Sequence, residues 1–164
     1  MTGAGLDRAS ALSRLGELWR EAWADPSVDS FSRCCAASVN YEDPLSGEPL
    51  EGLDALARHA QRVRAALPDM RLEPVAESIV EGGYGCLPWR LAGTHRGDMG
   101  NVPATGRFLV LHGVHYVELA DGRVKRARGF FDLYDVATQL GLLPSRGSLS
   151  EQALMMLRGF GLRR

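Results

Sequence analysis

Asp132 is a candidate for the base of a proton-transfer reaction. It follows a segment rich in valine and aromatic residues and comes directly before a helical pattern that begins at Leu133. A carboxyl group with apolar neighbours has a raised pKa, and such a group can remove a proton from carbon. Aspartate is also one of the best residues for capping the start of a helix. The sequence leaves both roles open for Asp132, and one does not exclude the other.

The surroundings of Asp132 are predicted from a hairpin. The pair Asp121-Gly122 favours a two-residue type I′ turn, in which Ala120 faces Arg123. Counting outward in this register sets the faces of both strands. The predicted opposing pairs are His115 with Arg128, Gly113 with Phe130, and Leu111 with Asp132. Asp132 is therefore expected on a face with apolar groups, with His115 about 13 Å away along the strand.

His95 is the second candidate for the chemistry. On the predicted strand it shares a face with Trp89 and Leu91, a mixture of residues that suits a pocket wall. Its imidazole could donate a hydrogen bond or shuttle a proton there, although buried histidines more often only satisfy their own hydrogen bonds in the core. We therefore predict Asp132 and His95 as the catalytic residues.

Further side chains are predicted to bind the substrate. Tyr41 and Asp43 are expected at the cavity mouth, with the tyrosine hydroxyl as a donor to an enolate, although Asp43-Pro44 is also typical of a turn. The predicted substrate-binding residues are Tyr41, Trp89, His115 and Arg128. His59 is expected on the exposed side of its helix, and His112 in packing or in a dimer contact.

The elements that must position these residues follow from apolar periodicity and from turn residues. The predicted elements are helices over 10–23, 29–37, 53–67 and 133–140, a short strand over 38–43, and three long strand segments between 70 and 132. Residues 1–144 are predicted as one domain and residues 145–164 as a C-terminal extension. A short final helix in this extension would carry Leu154, Leu157 and Phe160.

The composition argues against several classes of partner. A chain of 164 residues is within the size of one domain, and its net charge of -1 does not favour binding to nucleic acid or a membrane surface. Its apolar runs are far shorter than the ~18 to 20 residues of a membrane-spanning helix, so we expect a soluble cytoplasmic protein. The three cysteines and four histidines lack the spacing of a disulfide framework or a metal site, so no metal is expected.

The order of the elements, helices first and then a long curling sheet, resembles the cone-shaped α+β fold of ketosteroid isomerase, scytalone dehydratase and the SnoaL-like cyclases. Local strings strengthen this likeness over residues 10–144. The strings are Trp19 to Trp23, Tyr41-Glu42-Asp43-Pro44, Gly52, Pro68-Asp69, the run from Trp89 to Gly97, Ala104-Thr105-Gly106-Arg107, Asp121-Gly122-Arg123-Val124, Phe131-Asp132, Gln139-Leu140-Gly141-Leu142 and Pro144. Together they resemble the SnoaL-like polyketide cyclase, or ester cyclase, family.

This resemblance implies a fold and an activity. The fold would be α+β, with N-terminal helices packed on a curved, largely antiparallel sheet that forms a cone-shaped barrel with an internal pocket. The activity would be that of a homodimeric, cofactor-free enzyme that closes a ring by an intramolecular aldol reaction on a small hydrophobic, polyketide-like molecule. The family's catalytic aspartate corresponds to Asp132, and its glycine-threonine-histidine-x-glycine segment corresponds to Gly93, Thr94, His95 and Gly97.

Two other functions stay open at this point. The family tends to have a His-Trp pair on the last strand where this chain has Ala127 and Arg128, and a guanidinium there could favour an anionic ligand. The same base and donor could serve an isomerase, dehydratase or hydroxylase acting on a polycyclic substrate. A noncatalytic module that binds a small hydrophobic ligand is the alternative from another class, since both faces of 108–117 are largely apolar.

Overall fold

The computed structural model describes residues 3–157, with side chains described from residue 14 onward. Within this part of the chain, helices pack on a curved, unclosed sheet. The helices are α1 (Gly3–Ala24), α2 (Val28–Ser32), α3 (Gly52–Ala66), α4 (Leu133–Gln139) and α5 (Leu149–Leu157). The strands are β1 (Cys35–Glu42), β2 (Leu50–Glu51), β3 (Arg71–Pro74), β4 (Ile79–Glu81), β5 (Tyr84–Thr94), β6 (Phe108–Ala120) and β7 (Arg123–Phe131). The predicted α+β class is confirmed, although the described strands do not close into a barrel.

The strands form one sheet in the order β2-β1-β7-β6-β5-β3, with β4 paired to β5 as well. Neighbouring strands run antiparallel except for β1 and β7, which are parallel. The meander of β5, β6 and β7 contains the longest strands, and alternate residues along β5 are buried. This alternation means that one face of the sheet carries the core while the other faces outward.

The hairpin between β6 and β7 has the turn predicted from Asp121-Gly122. These two residues have φ values of 52° and 73°, and a type I′ turn requires positive φ at both of its central positions. Ala120 pairs with Arg123 across the turn. The first step of the predicted register is therefore confirmed.

A β-bulge beside the turn overturns the rest of that register. Lys125 is an extra residue in β7, so every later pairing with β6 is shifted by one. The observed pairs are Tyr116 with Arg128, His115 with Gly129, Val114 with Phe130, and Gly113 with Phe131. A shift of one residue reverses the faces of a strand. Arg128 and Phe130, predicted to share the face of His115, therefore point outward, and Phe131 points inward.

Helix α4 takes the place of β7 beside the first part of β6. Strand β7 ends at Phe131 opposite Gly113, so Val110 lies beyond the end of the ladder. The side-chain amide of Gln139 donates to the Val110 carbonyl oxygen and its own oxygen accepts from the Val110 N–H, both at 2.8 Å. These two hydrogen bonds pair backbone groups that the ladder would otherwise leave open, and they fix α4 against the sheet.

The concave face of the sheet is covered by α1, α2 and α3. One group of buried side chains contains Trp19 and Trp23 from α1, Phe31 from α2, and Leu56 from α3. A second group, nearer α4, is centred on residues of β5 and β6 and includes Trp89. Burying each large side chain of this kind contributes about 1.5–3 kcal/mol to stability.

The segment after α4 packs on Tyr134. The Tyr134 hydroxyl lies 2.8 Å from the Glu151 carboxylate and 3.0 Å from the Pro144 carbonyl oxygen. The Arg146 guanidinium lies 4.8 Å from the centre of the same ring. Helix α5 itself buries none of its described residues, and Phe160, predicted for this helix, lies outside the described residues. The division at residue 144 stays a prediction.

In the described part of the chain, no helix is both long enough and apolar enough to cross a membrane.

Candidate active site

A cavity lies between the concave face of the sheet and helices α1, α3 and α4. Its volume is about 50 Å³, which is roughly a third of the ~150 Å³ known to hold a benzene molecule in an engineered apolar cavity. Aliphatic and aromatic side chains line most of it: Trp23, Leu45, Val63, Leu67, Met70, Leu72, Trp89, Leu91, Met99, Leu109, Leu111, Phe131 and Val136. The titratable side chains that line it are Tyr41, Asp43 and His115.

A wider depression of about 390 Å³ adjoins this cavity on the outside. The cavity and the depression share three lining residues, Leu45, Val63 and Met99. These three side chains therefore stand between the cavity and the surface. Movement of these three side chains would join the two spaces and make room for a ligand larger than the cavity.

Asp43 accepts four hydrogen bonds at one end of the cavity. Its Oδ2 accepts from Tyr41 Oη at 2.9 Å and from His59 Nε2 at 2.8 Å. Its Oδ1 accepts from the backbone N–H groups of Leu45 at 2.7 Å and Ser46 at 2.8 Å. Burial alone would raise the pKa of Asp43, but these hydrogen bonds and the attraction of His59 outweigh it, so the pKa is lowered.

A directed chain of hydrogen bonds leads from Trp19 to Asp43. The Trp19 indole can only donate, so His115 Nδ1 accepts its N–H at 3.2 Å. A neutral His115 then carries its proton on Nε2, which donates to the Tyr41 oxygen at 3.3 Å, while the Tyr41 hydroxyl donates to Asp43. Burial lowers the pKa of His115 to about 3, so the ring is neutral near pH 7.

Tyr41 holds its proton tightly. Burial, together with the negative charge and hydrogen bond of Asp43, raises its pKa well above the ordinary value. The alternation of β1 explains its inward position, since Val39 and Tyr41 are buried while the Glu42 side chain meets Arg126 on the outer face. The chain then turns at Asp43-Pro44, and the Asp43 carboxylate caps the N–H groups of that turn.

Gly129 provides the space in which these polar groups meet. It lies opposite His115 in the sheet. A Cβ atom at this position would come within 2.9 Å of Tyr41 Oη and 3.0 Å of Asp43 Cβ. Both distances are shorter than ordinary van der Waals contact, so only glycine allows the hydroxyl and the carboxylate to approach β7 this closely.

Residues 13–140 match the family model of the SnoaL-like polyketide cyclases. The match spans well over half of the chain. The chain belongs to the SnoaL-like polyketide cyclase family. The resemblance stated from the sequence is therefore confirmed.

Solved structures share the fold of this family member. A candidate SnoaL-like polyketide cyclase from Jannaschia sp. superposes with a TM-score of 0.70 at 23% identity, over 81% of this chain and 96% of that one. AclR from Streptomyces galilaeus, a candidate hydroxylase, gives 0.67 at 18% identity over 91% and 94%. A protein from Catenulispora acidiphila with a ketosteroid isomerase-like fold, solved with trimethylamine, gives 0.66 at 15% identity over 79% and 93%. Identities this low show the fold alone, and no curated protein matches the chain.

Asp132 does not lie on the inner face of the sheet, where the predicted hairpin register puts it. The catalytic role that the resemblance implies for Asp132 stays a prediction. Its side chain is 50% exposed and is not among the residues that line the cavity. One oxygen accepts the backbone N–H of Asp135 at 3.0 Å, which caps α4, and the other accepts from Arg146 at 2.9 Å. The Asp135 N–H and the charge of Arg146 lower the pKa of Asp132. The predicted apolar surround with a raised pKa is therefore wrong, because the bulge at Lys125 moved this residue off the inner face.

His95 is buried on the inner face of the sheet, but it does not line the cavity. Its Nδ1 accepts the Thr105 N–H at 3.2 Å and lies 3.1 Å from the Thr105 hydroxyl. These contacts, with the hydrogen bonds between the His95 backbone and residues 106 and 107, hold the base of the 96–106 loop. The structure thus separates His95 from the polar end of the cavity.

The predicted substrate-binding residues divide into two sets. Tyr41, Trp89 and His115 line the cavity, and their role in binding a substrate stays a prediction. Arg128 does not, since the bulge turns it outward, where its guanidinium lies 5.1 Å from the centre of the Phe130 ring and 3.6 Å from Glu42.

His59 was predicted on an exposed helix face, and this is wrong. It is buried, and its Nε2 donates to Asp43. The periodicity of α3 gave no signal for this, because the partner is a turn sixteen residues earlier in the chain. Among the described residues, no cluster of histidine, cysteine and carboxylate side chains could hold a metal ion.

Proposed function

We propose that this SnoaL-like protein removes a proton from carbon beside a carbonyl group of a small, mostly apolar substrate, with Asp43 as the base. The observation that supports this proposal is the position of Asp43, Tyr41 and His115 together at one end of an otherwise apolar cavity. Ring closure of a polyketide-like molecule by an intramolecular aldol reaction is the reaction we favour, because it begins with this step.

The charges in the cavity suit a carbon deprotonation. At neutral pH Asp43 is ionised, His115 is neutral, and Tyr41 keeps its proton, as the directions of their pKa shifts require. A carboxylate can take the proton while neutral O–H and N–H donors stabilise the oxygen that becomes negative. The apolar walls strengthen these interactions because they exclude water.

Rotation of the Tyr41 hydroxyl would make the strength of Asp43 as a base depend on the arrival of the substrate. A carboxylate has about four acceptor sites, and in this structure donors occupy four on Asp43. When a substrate carbonyl arrives, the Tyr41 O–H can turn from Asp43 to the carbonyl oxygen and still accept from His115. This frees a lone pair on Oδ2 and removes a hydrogen bond that lowers the pKa of Asp43. The base therefore becomes stronger when the substrate is in place.

The proposed steps balance without an oxidant or a reductant. The electron pair of the C–H bond moves toward the carbonyl carbon, the carbonyl π pair moves to oxygen, and the proton goes to Asp43. In the aldol step the enolate carbon bonds to a second carbonyl carbon, and the oxygen of that carbonyl receives the proton. The same first step would begin an isomerisation or a dehydration, so product analysis distinguishes these reactions.

Noncatalytic binding of a small hydrophobic ligand is the second candidate function. One observation favours it: the chain from Trp19 through His115 and Tyr41 to Asp43 is complete within the protein. A complete network can be structural and leave the cavity as a simple binding site. Ligand binding without turnover would support this function.

The predicted homodimer belongs to the same proposal. The outer face of the sheet exposes Tyr84, Phe108 and Phe130, and helices α1, α2 and α3 pack on the opposite face. An exposed apolar sheet face of this kind suits contact with a second copy of the chain. A monomeric mass in sedimentation of the wild-type protein would contradict it.

Hydrogen exchange of 3-methylpentane-2,4-dione in D2O, followed by proton NMR, tests the proposed function. This compound has one hydrogen between two carbonyl groups. We expect the wild-type protein to accelerate its loss, and Asp43→Asn to lose about 10²-fold or more of that acceleration.

Glu42→Gln is the matched control, because Glu42 is the neighbouring carboxylate but meets Arg126 on the outer face. Its exchange rate should equal that of the wild type. If the wild-type protein binds the dione without accelerating exchange, the binding function replaces the catalytic one.

A further inference from the structure

Two tryptophans that line the cavity have indole N–H groups with no hydrogen-bond partner among the described residues. Trp23 and Trp89 both line the cavity, and each is 5% exposed. Their Nε1 atoms are buried and, among the described residues, meet no hydrogen-bond acceptor. A buried donor without an acceptor destabilises the folded protein, so natural proteins rarely keep two in one place without a use.

These two tryptophans lie beside His115, at the polar end of the cavity. The Trp23 ring is nearly parallel to the His115 ring, at 23° and a centroid distance of 5.6 Å. The Trp89 ring lies 5.5 Å from His115 at 34°. Trp19 also contacts His115, but its N–H is bound to His115 Nδ1. Within the described part of the chain, Trp19 therefore has an acceptor for its indole proton, whereas Trp23 and Trp89 do not.

The other polar groups of the cavity leave no comparable free donor. His115 uses both ring nitrogens, Tyr41 donates to Asp43, and four donors occupy the Asp43 carboxylate. Among the described side chains that line the cavity, the donors left without an acceptor are the two buried indole N–H groups. A ligand that matches such a wall carries acceptors, because a hydroxyl or amine proton would find no free partner there.

We infer that Trp23 and Trp89 are substrate-specificity residues whose indole N–H groups bind two oxygen acceptors of a neutral, mostly apolar dicarbonyl compound. The inference rests on the proposed function for the choice of a dicarbonyl, since a C–H between two carbonyl groups is more acidic than one beside a single carbonyl and is more easily removed by a carboxylate base. An anionic ligand does not fit, because it would bring a second negative charge beside Asp43 into an apolar cavity. This assigns the aromatic wall a polar recognition role in addition to packing.

The indole signals of the wild-type protein provide the test. The chain has three tryptophans, so a ¹⁵N–¹H spectrum contains three indole cross-peaks that single Trp→Phe variants assign. With 3-methylpentane-2,4-dione as the probe, we expect the Trp23 and Trp89 indole protons to shift downfield. The Trp19 signal serves as the internal control and should stay in place.

Two matched probes separate hydrogen bonding from simple burial. 3-Methylpentane has the same carbon skeleton without oxygen and should not move either signal downfield. Trp23→Phe and Trp89→Phe should each weaken dione binding by roughly 3- to 10-fold, the usual value of one net hydrogen bond. Each variant should change 3-methylpentane binding much less.

Three results would overturn the inference: dione binding that leaves both indole signals unmoved, equal affinity for dione and 3-methylpentane, or no dione binding at millimolar concentration. The outcome is distinct from that of the catalytic proposal. Asp43→Asn keeps both indole donors and should still show the two shifts. Shifts without wild-type hydrogen exchange would contradict the catalytic proposal alone, and exchange without shifts would contradict this inference alone.

Discussion

The side chains of Asp43 and Asp132 both cap nearby backbone N–H groups, but they have different surroundings. Each follows a strand, and each accepts backbone N–H groups two or three residues further on. The Asp43 side chain is 4% exposed and also accepts from Tyr41 and His59, whereas Asp132 is 50% exposed and pairs with Arg146. The pKa is lowered at both. Capping therefore does not separate a candidate base from an ordinary helix cap, and contacts from distant parts of the chain do.

The strongest expected contrast between the two regions is their response to acid. His115, beside Asp43, has a folded pKa of about 3 against an ordinary 6.5. Between these values the unfolded chain binds a proton that the folded protein does not, so stability falls as pH drops from about 6.5 toward 3. At about 1.4 kcal/mol per pH unit the loss is roughly 5 kcal/mol.

Urea unfolding at several pH values measures this loss. Gln in place of His115 can accept from Trp19 and donate to Tyr41 without titrating. His115→Gln should therefore remove most of the slope between pH 6.5 and about 4.5, above the range in which carboxyl groups titrate. His112→Gln is the control, because His112 is exposed on the outer face of the same strand. An unchanged slope in His115→Gln would show that the histidine is not buried in neutral form.

Much of this architecture follows from local signals in the sequence. The helix predicted over 53–67 is found as Gly52–Ala66, and the Asp-Gly turn has the predicted geometry. Apolar periodicity and turn chemistry act within a few residues, so they can be read along the chain. The helix predicted over 29–37 is too long because β1 already begins at Cys35.

Only part of the candidate site could be predicted in the same way: Tyr41, Trp89 and His115 line the cavity, whereas Arg128 and Asp132 do not. The extra residue Lys125 has no distinctive type, yet it moved Arg128 and Asp132 off the inner face. His59 looks like a surface residue until the Asp43 turn folds against α3. Both errors have one physical cause, which is that a bulge and a long-range hydrogen bond depend on tertiary packing.

Gly129→Ala tests whether the region around Asp43 depends on the small residue opposite His115. The new Cβ would press on Tyr41 Oη and Asp43 Cβ. Overpacking of this kind costs about 1–3 kcal/mol, and exchange of the dione should fall with it. Arg128→Ala, one residue earlier on the outer face, should change stability by less than about 0.5 kcal/mol. Equal stability of the two variants in urea would show that the contact between Tyr41 and Asp43 does not need a glycine at position 129.

The smallest effect on stability is expected at the Asp132 cap of α4, which is exposed to solvent. Arg146→Ala removes an ion pair whose side chains are 67% and 50% exposed. Exposed pairs of this kind contribute about 0–1 kcal/mol. Urea unfolding should therefore differ little from the wild type, and the difference should shrink further in high salt. A loss comparable with that of Gly129→Ala would make the Asp132 region more than a surface cap.

The most direct test of the account compares the two aspartates in one reaction. Asp43→Asn and Asp132→Asn are matched substitutions, and the rate of dione hydrogen exchange is measured for both at pH 7. We expect Asp43→Asn to lose the acceleration and Asp132→Asn to keep the wild-type rate. Loss of the acceleration in Asp132→Asn with full activity in Asp43→Asn would contradict this expectation and return the base to the position first indicated by the sequence.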